Sequence, residues 1–177
     1  MFKIPPYRYL FFSKLTLFFG LFIVISASFM RQVMNLMKAS IGQGGFKIVI
    51  SLLLLVSGSI FLVFIIKSGI SRIRKIIFFV LVATGLVLTW QIEIIEERVH
   101  LLEFAVLGWL ALRDTARVKK AAKAFWLAIS FTFLIGVLDE GFQAVLPYRY
   151  FQTWDILLNS LGSLWGITLF SLFKKIR

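Results

Sequence analysis

Ala121-Ala-Lys-Ala-Phe-Trp-Leu-Ala-Ile-Ser130-Phe-Thr-Phe-Leu-Ile-Gly136-Val-Leu-Asp139-Glu140-Gly-Phe-Gln143-Ala-Val-Leu146 decides the fold. It is an apolar run longer than the about 20 residues a helix needs to cross the hydrocarbon of a bilayer. Pro147 stops it. Its polar residues are not scattered. Thr132, Gly136, Asp139/Glu140 and Gln143 recur at helical spacing, so one face of an otherwise lipid-compatible helix is polar. Carboxylates are expensive near lipid and mark candidate sites when they occur there.

Working outward, further apolar runs cover roughly 10–30, 46–66, 76–94, 99–112 and 155–173. The chain is 60% hydrophobic and 16% charged, and its mean hydropathy is +0.93. A soluble domain of this length carries more charge. Backbone groups in lipid must bond within their own segment, and no short alternating strands of a spanning barrel occur. The expectation is an all-α, polytopic transmembrane bundle of about six helices. The 14-residue fourth run needs flanking polar residues to complete its helix, and Thr153 is a candidate N-cap for the sixth. Ile41-Gly42-Gln43-Gly44-Gly45 reads as a flexible turn before the second run. Ser26 to Ser28 supply small residues for a signal-peptide cleavage site, but the first run is long and a polytopic chain needs no removable signal.

The chain has no cysteine and one histidine, so disulfides and thiolate chemistry are excluded and no metal or cofactor is expected. The net charge of +12 lies in the segments between apolar runs, where it reads as a topology signal rather than a nucleic-acid footprint. With the N-terminus inside, the inner segments carry Lys3, Arg8 and Lys14, the group from Lys67 to Lys75, the group from Arg113 to Lys123, and Lys174, Lys175 and Arg177. The outer segments hold Arg31, Lys38, Lys47, Arg98 and Arg149. Fifteen against five favours both termini in the cytoplasm.

Seven of the eight acids then share the outer side: Glu93, Glu96, Glu97, Glu103, Asp139, Glu140 and Asp155, with Asp114 apart. Helices three to six are each expected to bring polar groups to that level. His100 and Glu103 stand one turn apart, and Asp155, Asn159, Gly162/Ser163 and Gly166 form a stripe on the last helix. Gly162 and Gly166 permit close helix approach, and Arg149 places one cation among the acids. Singly, each has a structural reading. Glu93, Glu96, Glu97 and Arg98 fit a solvated loop, and Asp155 suits a helix N-terminus. Trp90, Trp109, Trp126, Trp154 and Trp165 fit an interfacial belt together with Tyr148 and Tyr150. Their convergence is what points to a site.

Glu97-Arg98-Val99-His100-Leu101-Leu102-Glu103-Phe104, with Leu107, resembles the histidine-bearing helix start of VanZ-like membrane proteins. Asp139-Glu140-Gly141-Phe142-Gln143, Pro147-Tyr148-Arg149, Asp155, Asn159, Gly162 and Gly166 are similar to that family's second signature. The similarity covers roughly 76–173, which divides the chain into two N-terminal helices (1–75) and a VanZ-like four-helix core (76–177). Phe104 stands where the family commonly has tyrosine, so no role for a phenol carries over. The resemblance implies a bacterial, multi-pass protein of the cytoplasmic membrane, linked to low-level antibiotic resistance to the glycopeptide teicoplanin.

An outward-facing polar pocket is expected to bind or modulate a cell-envelope ligand. Glu103, Asp139, Gln143, Arg149 and Asn159 are the ligand-binding candidates. The partners would be membrane lipids and a lipid-linked envelope precursor or lipoglycopeptide, with no nucleic acid. The alternative is an intramembrane hydrolase or transferase on a lipid head group, with His100, Glu140 and Asp155 as catalytic candidates in acid/base roles. A transporter is less favoured, because there is no inverted repeat and no helix broken at midplane.

Overall fold

The structure, a computed structural model, describes residues 11–92, 95–118 and 120–173. Its helices are α1 (Lys14–Ser26), α2 (Met30–Lys67), α3 (Arg72–Gln91), α4 (Ile95–Thr115), α5 (Ala121–Val145) and α6 (Thr153–Ser171), and no strand occurs among the described residues. The all-α expectation holds, and α4 indeed takes in polar flanks at both ends of its apolar run. Two details differ. Met30 to Ile41, a stretch with no Gly or Pro to stop it, is already helical. The break falls at Gly42 alone, whose φ of 73° and ψ of 165° suit a residue without Cβ. Thr153 is the first helical residue of α6 rather than its cap. Gln152 occupies the cap, and its side chain makes no capping bond.

The core is built on small residues. Gly162 and Gly166 of α6 lie on the carbonyls of Leu101 and Ala105, and Gly108 of α4 lies on the carbonyl of Ser163, so a Cβ at any of the three would collide with backbone. The two glycine contacts of α6 advance in the same sense along both helices (Leu101 with Gly162, Ala105 with Gly166), so α4 and α6 run parallel. They form the most extensive pairing, and α5 packs against both. Phe104, Leu107, Ala111, Ala124, Ala128 and Ile167 are buried between these helices.

α1 closes the bundle against α5 and α4. The rings of Phe12 and Phe131 stack with centroids 4.0 Å apart, and Gly20 rests on Ile135 and Phe131. Its start is held by Asp114, whose carboxylate accepts from the Ser13 backbone N–H (2.7 Å), the Thr16 hydroxyl (2.6 Å) and the Arg113 guanidinium (2.9–3.0 Å). The acid that stood apart in the sequence therefore fastens α1 to α4. α2 and α3 lie at the margin of this four-helix core. They join it through a cluster of Ile65, Phe78 and Leu169, and through Trp165, whose indole N–H donates to the Leu81 carbonyl over Gly85. Trp109 likewise packs edge-on to Phe170, so both indoles take part in helix packing. Trp90, Trp126, Trp154 and Tyr150 are well exposed.

Among the described residues, α3 and α5 are long and apolar enough to cross a membrane, and the bent pair α1 with Met30–Leu53 (64° between them) raises the number to three. Six were expected. α4 carries charge at both ends, and α6 turns a polar stripe inward. A helix sheltered by its neighbours need not be apolar all round.

Candidate functional site

The polar residues gather where α4 and α6 begin and α5 ends, beneath the α5–α6 loop. On α5, Gly136, Asp139, Glu140 and Gln143 share one buried face. Asp139 and Glu140 are both 0% exposed. Such acids are tolerated only with partners, and the neighbouring turn supplies one. The Gln143 amide donates to Asp139 Oδ2 (3.1 Å) and to Glu140 Oε1 (3.0 Å). The second Glu140 oxygen accepts the backbone N–H of Gln152 (3.0 Å). Glu140 thereby fixes the start of α6, much as the acid of a capping box does.

α4 presents His100 and Glu103. His100 Nδ1 lies 3.8 Å from Glu103 Oε2 and 3.9 Å from Asp139 Oδ2. These are ion-pair distances if the imidazole is charged, and too long for hydrogen bonds. The α5–α6 loop delivers Arg149, whose charge acts on Asp139, Glu140 and Asp155. Burial first, then the charge of Arg31, push its pKa below the ordinary value, and the three carboxylates oppose them. The loop is tied at a distance. Arg31 Nη1 donates to the Tyr148 carbonyl (2.7 Å), and the Tyr148 hydroxyl donates to the Ser28 carbonyl (2.6 Å).

α6 contributes Asp155, Asn159 and Ser163, spaced i, i+4, i+8 along one face. Asn159 sits against Gly136, beside Phe104. Several buried atoms here have no hydrogen-bond partner: His100 Nδ1, Asp139 Oδ1, Arg149 Nε, Asp155 Oδ1, both amide atoms of Asn159, and Ser163 Oγ. Leaving one such group unpaired costs about 1–3 kcal/mol.

The eight residues singled out from the sequence thus lie around one end of the bundle. His100, Glu103, Asp139, Glu140 and Gln143 are linked by close contacts, Arg149 and Asp155 act on them through their charge, and Asn159 lies one turn deeper on α6. Of the polar residues expected at the end of helix three, few are described. Thr89 bonds its own Gly85 carbonyl, while Glu93 and the side chains of Glu96 and Glu97 lie outside the described residues. Arg98, read as part of a solvated loop, donates to the Ile92 and Trp90 carbonyls and closes the end of α3.

The sequence reading missed the Ser28–Tyr148–Arg31 tie and the unpaired hydroxyl of Ser163. The hint for Arg31 was its position as an isolated cation facing the acids. Among the described residues no three His, Asp or Glu side chains gather closely enough to hold a metal ion. A cavity of about 260 Å³ opens between α5 and α6, lined by Trp126, Ile129, Ser130, Thr132, Phe133 and Ser160, below the charged group rather than within it.

A family model described as VanZ/LLP1 matches residues 7–174, a span that includes α1 and α2 as well as the signature positions. No curated protein and no solved structure matches the chain.

Proposed function

The chain belongs to the VanZ/LLP1 family, and from that premise we propose that its buried polar cluster binds the head group of a lipid-linked envelope ligand. The cluster faces the extracytoplasmic side of a bacterial cytoplasmic membrane, the orientation that the Lys and Arg bias favours. One observation carries this reading. Seven buried polar atoms without protein partners occur in six residues of α4, α5, α6 and the loop between the last two. A bundle that needed only to be stable would place apolar side chains there. Paired with a ligand, the same groups become selective contacts. Arg149 suits a phosphate or carboxylate, because a guanidinium presents several donors in a fixed plane. The Gln143 clamp and the Glu140–Gln152 bond hold the carboxylates in place before anything binds.

By occupying or altering outer-leaflet components, such a protein reduces the access of a membrane-seated lipoglycopeptide such as teicoplanin. Two measurements test the reading. Purified wild-type protein retains envelope lipid and Arg149→Ala loses it; equal retention by both would count against the site. Overexpression in a susceptible Gram-positive host lowers teicoplanin susceptibility; no change would remove the resistance link.

A further inference from the structure

We infer that the head group taken by this cluster carries a primary ammonium beside an anionic group, as an amino-phosphate head does. The ammonium lies among Asp139, Asp155 and Asn159, and the anion lies on Arg149. This rests on the head-group reading above and adds the chemistry of the ligand.

The charges come first. Glu103, Asp139, Glu140 and Asp155 bring four carboxyl groups to the site, and within it Arg149 is the cation whose charge reaches three of them. Arg31 stands at the edge, donating to the Tyr148 carbonyl. A ligand that were only anionic would leave the acids uncompensated in a poorly solvated place, and a ligand that were only cationic would leave Arg149 Nε unmet.

The hydrogen bonds sharpen this. Glu140 is satisfied at both oxygens by neutral donors, Gln143 and the Gln152 backbone. Of the seven buried atoms without a partner, Asp139 Oδ1, Asp155 Oδ1 and Asn159 Oδ1 can only accept, and His100 Nδ1 can serve either way. Three acceptors match the three N–H groups of a primary ammonium. A quaternary ammonium has none to give. The donors left over are Arg149 Nε, Asn159 Nδ2 and the Ser163 hydroxyl, which suit oxygens of a phosphate or carboxylate.

The residues that carry these atoms lie on neighbouring turns of α5 and α6. Asn159 is one turn below Asp155 on α6, about 6 Å along the axis. It abuts Gly136, which is one turn from Asp139 on α5. Asp139 and Asn159 are almost wholly buried, so these groups face the bundle interior and not the lipid.

The test uses the full chain in phosphatidylcholine nanodiscs doped with equal amounts of phosphatidylethanolamine and phosphatidylglycerol, with retained lipid read by native mass spectrometry. Phosphatidylethanolamine should be enriched over both others. Asn159→Leu and Asp139→Asn should each reduce the enrichment about tenfold while circular dichroism shows the helices intact. If either variant fails to fold, the lipid preference of the wild type alone decides. Competition by free phosphoethanolamine would support recognition of the water-soluble head itself. Enrichment without competition would support recognition of the lipid as a whole. Equal retention of phosphatidylglycerol, lost in Arg149→Ala, would overturn the ammonium and leave head-group binding standing. Phosphatidylcholine held as firmly as phosphatidylethanolamine would also overturn it, since no N–H is then needed. No lipid retained by wild type would overturn both readings.

Discussion

Asn159 is the residue whose presence is hardest to explain by stability. Neither its amide oxygen nor its nitrogen has a protein partner, and it is 1% exposed. Leucine has the same four-atom branched skeleton and needs no partners. Asn159→Leu should therefore leave the protein as stable in detergent or more so, by up to about 1–3 kcal/mol, while ligand retention falls. A thermal melt that drops sharply would mean that the amide is structural after all. Gly166 makes the opposite case. A side chain there meets the Ala105 backbone, which cannot rotate away. Gly166→Leu should cost at least the about 1–3 kcal/mol typical of overpacking and should lower the melting temperature; an unchanged melt would show that α4 and α6 can separate freely. At this scale the sequence was informative. A carboxylate or an amide in an apolar run is conspicuous in one dimension. What it does not show is which oxygen already has a donor, because the Gln152 backbone reaches Glu140 only once α5 and α6 are placed.

Among the elements, α1 is the one whose role changes most between sequence and structure. Read alone, it is an apolar run without a signature. Folded, it is anchored at its start by Asp114 and touches the α5–α6 loop just past its end through Ser28. Asp114→Ala would leave the Ser13 N–H and the Thr16 hydroxyl without their acceptor, and Arg113 with the Ser13 hydroxyl alone. We expect a loss of about 1–3 kcal/mol, as when buried donors lose their acceptor, with proteolysis becoming faster around residue 13. Protease resistance equal to wild type would show that α1 holds by its apolar face alone. Tyr148→Phe removes one hydrogen bond between the loop and Ser28, worth about 1 kcal/mol. It should loosen ligand retention more than it lowers the melt, because it frees the loop that carries Arg149. Equal ligand retention in Tyr148→Phe and wild type would separate the tie from binding. Neither contact was legible beforehand, since each joins residues about a hundred positions apart.

For the whole molecule, orientation is the open variable with the most direct test, and the absence of native cysteine makes it clean. Gly44, near the break in α2, and Gly69, between α2 and α3, both have open space where a side chain would be added. Gly44→Cys should react with a membrane-impermeant maleimide in intact cells, and Gly69→Cys only after permeabilisation; the reverse pattern would put the acidic end in the cytoplasm. By itself the sequence determined the helical class, most helix boundaries and the end of the bundle where the polar groups lie. These follow from local hydropathy, helical period and Gly/Pro punctuation, which act over a few residues. Tertiary structure alone decided that α1 completes the core with α4, α5 and α6 while α2 and α3 flank it, and which polar atoms remain without partners. The reason is that apolar helices look alike in composition. Their neighbours are chosen by where a glycine lets two backbones touch and where a distant carboxylate finds its donors.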